Sequence, residues 1–201
     1  MNKKAQLLQV AAKHFSKHGY EGVSLDAIAK EASITKAAIY YHFKDKDALY
    51  EAVLLLRLEN LVAHIKASLT ATEPEEKLRQ YIESFGAFLE DYPCFAAILA
   101  HEFADEGAHM SEKAVQTLSQ TLGTLTAILN EGIAQGVFTI QNPFAVQLMI
   151  VSSLVLHQTT VGLRKRVAAY VQDYAVTPEP DIKDLAKMLA TKIIQAIRKE
   201  R

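Results

Sequence analysis

One cysteine, Cys94, stands in the 201 residues, so no disulfide can close within the chain. That suits a reducing compartment, and a cytoplasmic location is expected. Proline and glycine are scarce too, at 5 and 8 residues. Long intervals are therefore free of helix punctuation, and few runs of β-branched residues alternate with period two. The expected class is all-α. No apolar run is suited to a membrane either. Asn2, Lys3 and Lys4 lead into an amphipathic helix pattern, not a signal peptide. The most apolar interval, 145–163, is interrupted by Gln147, Ser152, Ser153, His157, Gln158, Thr159 and Thr160 and reads as a buried helix. Also lacking are a glycine-rich phosphate loop, a nucleophile elbow and a metal-protease pattern.

What is present is hydrophobic. Half of the chain is apolar, enough for a substantial core in one or two domains. Charge is unevenly placed around a net of −1. Residues 1–50 carry 8 lysines against 5 acids, and the remainder carries 14 basic residues against 18 acids. A mildly basic start on an acidic body fits a protein that meets nucleic acid with one end.

The stretch from Ser24 to Val53 organises the rest. Ser24 is an N-cap candidate, followed by an apolar stripe of Leu25, Ile28, Ala29 and Ala32. Ser33 and Ile34 form a turn, and Thr35 caps the next helix. Ile39 and Phe43 point with Ile34 into a small core. Lys36, Ala37, Tyr40, Tyr41 and Lys44 share the opposite face, because positions three and four apart are helix neighbours. That face offers a cation, two phenols and a small residue, as a helix entering a major groove requires. Asp45 caps the following helix, whose stripe continues through Leu49, Val53 and Leu56.

These residues resemble the DNA-binding domain of the TetR family of bacterial transcriptional regulators. The resemblance rests on Ser24-Leu25-Asp26-Ala27-Ile28-Ala29, Lys36, Ile39-Tyr40-Tyr41-His42-Phe43 and Lys46-Asp47-Ala48-Leu49. Ser33 replaces the usual turn glycine and Ala37 a glycine frequent early in the recognition helix. The resemblance implies a helix-turn-helix DNA-binding domain over 1–48 and a helical effector-binding and dimerisation domain over 49–201, with about nine helices. It assigns phosphate contacts to Thr35, Tyr40, Tyr41, His42 and Lys46 and base contacts to Lys36 and Ala37, with Ser24 on the same DNA-binding surface.

Elsewhere the pattern gives a first helix over 3–18 with Gly19 as its cap. A fourth helix runs from Leu49 to about Leu69 and a fifth from 75 to 91. After Pro93 comes a sixth, then a seventh over 111–136 broken by Gly132 and Gly136. Asn142-Pro143 opens an eighth helix to about Leu163. Arg164-Lys165-Arg166 falls on a loop, Thr177–Pro180 is a stop, and a last helix follows Asp181. The pairs His14/His18, His101/Asp105 and Glu102/Glu106 have a spacing that can hold metal, but solvated helix ends account for them better, and no metal or cofactor is expected.

A small hydrophobic or amphipathic effector would be bound by Tyr81, Phe85, Phe88, Phe95, Leu99, Glu102, Phe103, Leu122 and His157. A four-helix dimer interface would use Met149, Ser153, Leu156, Leu185, Met188, Leu189, Lys192 and Ile193. The implied activity is a repressor that binds a palindromic operator as a homodimer and is released when its ligand shifts the fourth helix. The competing reading is a helical enzyme, metal-dependent or small-molecule-binding, built on the His101–His109 cluster.

Overall fold

A computed structural model describes residues 3–171 and 178–200. These form ten helices and no strand beyond one bridge between Phe138 and Arg198. In chain order they are α1 (Lys3–His18), α2 (Leu25–Glu31), α3 (Lys36–His42), α4 (Lys46–Ser68), α5 (Pro74–Asp91), α6 (Pro93–Ala104), α7 (Glu112–Ala134), α8 (Pro143–Thr159), α9 (Val161–Ala168) and α10 (Ile182–Ile197). The all-α expectation holds. No single described helix is long and apolar enough to cross a membrane.

The chain divides into two compact units, and the division falls inside α4 and α7. One unit holds residues up to 62 together with 92–119, and the other holds 63–91 and everything from 120 onward. In the first, α6 packs against α1, which draws 92–119 to the N-terminal helices. Its core gathers Leu7, Phe15, Ile28, Ile39, Leu49, Tyr50, Leu54, Phe95 and Leu99, with the Phe15 and Tyr50 rings edge to face at 4.7 Å. In the second, α10 lies along α5, with α8 against both. Leu78, Tyr81, Phe85, Leu89, Ile150, Leu154, Ala186, Ile193 and Ile194 fill that core.

The tenth helix comes from a break that the sequence pattern places too late. α8 stops at Thr159 and α9 sets off at 75° to it. No proline or glycine stands at the break. Instead Arg164 donates to the carbonyls of Leu156 (3.3 Å) and His157 (2.9 Å) and to Thr160 Oγ1 (2.8 Å). A guanidinium that satisfies the last carbonyls ends a helix as a cap residue would. Arg164, Lys165 and Arg166 therefore lie on a helix, not a loop. Of the expected stop, Thr177 lies outside the described residues, and Pro178–Pro180 are non-helical.

The sequence marks Gly132 as a break in α7, yet the helix continues to Ala134. The glycine makes room instead. A Cβ on Gly132 would lie 2.1 Å from the Phe138 ring. The chain turns at Gly136 (φ 70°), and Val137 and Phe138 donate back to the Gly132 carbonyl at 2.8 and 3.1 Å. Phe138 is thereby buried over the end of its own helix. Gly132→Ala should cost about 1–3 kcal/mol through overpacking. Urea denaturation checks this, and an unchanged midpoint would show that the ring can move aside freely.

Candidate nucleic-acid interface

Three short polar side chains build the local structure. Ser24 Oγ accepts from Ala27 N at 3.2 Å, Thr35 Oγ1 from Ala38 N at 3.2 Å, and Asp45 Oδ1 from Ala48 N at 2.8 Å. Each satisfies an amide that the first turn of a helix leaves unpaired. Because Ser24 and Thr35 accept here, each hydroxyl proton is left to donate outward, as a phosphate contact needs. Between α2 and α3 the chain turns at Ser33, whose φ is 54°. Ala32 donates to Ile28 O at 2.9 Å, and Ile34 to Ala29 O at 3.0 Å. Ser33 occupies the left-handed conformation that glycine adopts without strain.

α3 is seven residues long and buries only Ile39. Lys36, Ala37, Tyr40, Tyr41 and His42 are exposed, Tyr41 at 84% and Tyr40 at 50%. The Tyr41 and His42 rings meet edge to face at 5.0 Å. Lys36 Nζ donates to Asp26 Oδ2 on α2 at 2.8 Å, and that bond raises the ammonium above its ordinary pKa. The expected phosphate contact Lys46 is placed differently from the others. Its Nζ donates to Tyr20 O (3.1 Å) and Val23 O (3.4 Å) and sits 4.0 Å from the centre of the Tyr20 ring.

The residues expected to meet an effector divide between the two units. In the first, Phe95 and Leu99 are core, Glu102 is buried, and Phe103 is 47% exposed. Glu102 accepts a short hydrogen bond from Tyr50 OH. Burial foremost, then this bond, pushes the Tyr50 phenol well above its usual range. In the second unit Tyr81, Phe85 and Phe88 are buried and Leu122 is half-buried. Tyr81 OH donates to Gln147 Oε1 at 2.8 Å and approaches Thr121 O at 3.1 Å, and burial pushes its pKa up to about 12. His157 is held below its ordinary pKa by burial and by Arg164. Nothing in the sequence marks Tyr50, Gln147 and Arg164 as site residues, because a polar residue inside an apolar stripe carries no sign of its partner.

Of the expected interface residues, Met149, Leu156, Met188 and Lys192 are exposed and Ser153, Leu185 and Leu189 are half-buried. Ile193 is 4% exposed and packs inside its own unit. Phe144 and Leu148, which the sequence reading does not single out, extend the open apolar face of α8. Around the turn after α6, His101 Nε2 lies 3.2 Å from Ser16 O and His109 is stacked on Tyr20. Among the described residues no group of three or more His, Cys, Asp or Glu is arranged to hold a metal.

Comparison with known proteins decides what this surface belongs to. The profile described as "Bacterial regulatory proteins, tetR family" matches residues 7–53, and "Tetracyclin repressor-like, C-terminal domain" matches 74–170. The HTH-type transcriptional repressor KstR2 of Mycolicibacterium smegmatis is 31% identical over 144 residues, covering 68% of each chain. The chain belongs to the TetR family. The HTH-type transcriptional activator FasR of the same organism is 34% identical over 106 residues, 52% of this chain and 48% of FasR. This chain thus spans about half the length of that relative. The crystal structure of the TetR-family regulator PfmR from Thermus thermophilus superposes with a TM-score of 0.71 at 25% identity, covering 94% of this chain and 97% of PfmR. KstR2, FasR and PfmR are all named as transcriptional regulators. These names do not favour the catalytic reading of the His101–His109 cluster.

Within this TetR-family head, Ser33→Gly should stabilise by about 0.5–1 kcal/mol, since relief of the left-handed strain exceeds the added chain entropy. Ser33→Val should destabilise. Thermal or urea unfolding of both variants reads the difference, and a Ser33→Gly protein less stable than the parent would refute it.

Proposed function

We propose that the protein is a repressor that binds a palindromic operator as a homodimer and releases it when a small hydrophobic or amphipathic effector binds. In this reading residues 1–48 meet DNA, 49–201 serve effector binding and dimerisation, and the protein works in the cytoplasm. The observation that carries the reading is the free side of α3, where Lys36, Ala37, Tyr40, Tyr41 and His42 stand clear of the packing. Lys36 and Ala37 are its base contacts, and a lysine can take guanine O6 and N7. Ser24, Thr35, Tyr40, Tyr41, His42 and Lys46 hold phosphate, Lys46 through the third ammonium proton that the Tyr20 and Val23 carbonyls leave over.

One such head reads few base pairs, so two are needed, about one helical turn of DNA apart, roughly 34–36 Å or a multiple. Support for a twofold partner comes from α8 and α10. Met149, Leu156 and Met188 are exposed apolar residues, with Ser153, Leu185, Leu189 and Lys192 beside them. The effector reading draws on Tyr81, Phe85, Phe88, Leu122 and His157 in one unit and Phe95, Leu99, Glu102 and Phe103 in the other. A ligand releases DNA only by favouring the conformation that DNA disfavours. KstR2 is named a repressor and FasR an activator, so the sign needs an experiment.

Lys36→Ala should lose about 1–3 kcal/mol of discrimination on the duplex upstream of the protein's own gene, roughly 5- to 150-fold. It should lose much less on random duplex. Retention of equal specificity would exclude Lys36 as a base reader. The paired variant Leu156→Glu/Met188→Glu should sediment as a monomer and lose the operator while its helix content stays unchanged. A dimer that survives both charges would place the interface elsewhere. Transcription from that promoter, with and without a stabilising small molecule, reads the sign of control.

A further inference from the structure

We propose that His109 is a proton-sensitive positioning residue for DNA recognition. As an imidazolium it clamps the turn after α6 onto Tyr20, and through Tyr20 it fixes the start of α4 next to the recognition helix. The inference rests on the chain's binding DNA through α3.

Both ring nitrogens of His109 face carboxylates. Nδ1 lies 3.2 Å from Asp105 Oδ2 and 3.8 Å from Glu102 Oε1, and Nε2 lies 3.5 Å from Glu21 Oε1. A neutral imidazole has one N–H and one lone pair, so it would turn a lone pair toward an anion on one side. Only the doubly protonated ring meets both sides with a donor. Glu102 makes the demand sharper. The residue is 1% exposed, Oε1 accepts from Tyr50 OH, and Oε2 has no hydrogen-bond partner. A carboxylate so placed needs a nearby positive charge or a proton of its own. His109 is the group set to supply that charge, and imidazole is the side chain whose ordinary titration lies between pH 5 and 8.

The clamp reaches the start of α4, just after the DNA-reading helix, in two contacts. The His109 ring stacks on Tyr20 with centroids 4.2 Å apart and planes inclined by 27°. Tyr20 OH donates to Asp47, and its carbonyl and ring hold the Lys46 ammonium. Lys46 and Asp47 are the first two residues of α4, four and five positions beyond the end of α3. The turn that carries His109 is tightly wound, with Glu106 at φ 54°, Gly107 at φ 74° and Gly107 N donating to Glu102 O at 2.7 Å. Beside it lies a cavity of about 430 Å³ faced by Lys44, Asp45, Asp47 and Glu51, which gives the turn room to move. When His109 loses its proton, Glu21, Glu102 and Asp105 repel one another, the stack on Tyr20 loosens, and the start of α4 is no longer fixed. Loss of this pre-organisation lowers DNA affinity.

The test is fluorescence anisotropy with the duplex upstream of the protein's own gene, at constant ionic strength from pH 6 to 8. The wild type, His109→Gln and Glu102→Gln are compared. Wild-type affinity should fall at least fivefold more across this range than that of His109→Gln. Any remaining slope comes from groups that all three proteins keep. Glu102→Gln removes the buried charge while leaving an acceptor for Tyr50, so its slope should also flatten and its melting temperature at pH 8 should rise. Equal slopes in wild type and His109→Gln overturn the inference, as does a Glu102→Gln protein with the wild-type slope. Binding that is present but identical in all three refutes the clamp alone. Absence of binding by every protein at every pH refutes the DNA-binding reading with it.

Discussion

A seven-residue helix has no independent existence in water, because nucleation costs more than so few hydrogen bonds return. α3 is such a helix, and the DNA-reading surface depends on its being held by everything around it. Ile39 is fully buried, Phe43 nearly so, and Thr35 closes the first turn. Phe15, Ile28 and Leu49, from α1, α2 and α4, belong to the same core. With the inward side so fully used, the outward side is free to carry residues that packing would never select. A tyrosine exposed to 84% beside an exposed lysine and histidine is a poor structural choice, and it is a good one for gripping a charged, groove-bearing polymer.

Much of this was legible because it is local. Caps, helix periods and the alternation between an apolar and a polar face are written within a few residues of one another. Ser24, Thr35 and Asp45 all cap as their spacing suggests. What was not legible depends on partners far along the chain. Lys46 follows Phe43 closely and looks like a free cation, yet its ammonium is taken by carbonyls 23 and 26 residues earlier. Glu102 sits on a helix with an acidic end and looks solvated, yet Tyr50, 52 residues before it, draws it inside. Ile193 fits the outward stripe of α10 by count but turns to the core.

Glycine illustrates the same divide. Gly132 has the look of punctuation, whereas its role is set by a phenylalanine six residues on that needs the space a methyl would occupy. Conversely, Ser33 holds a backbone conformation that its residue type disfavours, and the helix-turn-helix forms regardless, because the caps and core on both sides fix the turn. Local preference is outvoted wherever enough surrounding contacts agree.

The fastening at Arg164 bears on how the surface of the second unit is steered. α8 and α9 are separated by a single residue, and α9 buries none of its own side chains. The break is braced by one guanidinium bound to the carbonyls at the end of α8 and to Glu179 across the chain, beside the Thr160 amide and hydroxyl, which both donate to Leu156 O. A flat, forked cation can reach all of these at once, which a lysine cannot. Weakening that brace would favour a straighter course for the two segments and carry Leu163, Val167 and Tyr170 along a new axis. The brace at one break thus bears on the heading of a whole apolar strip.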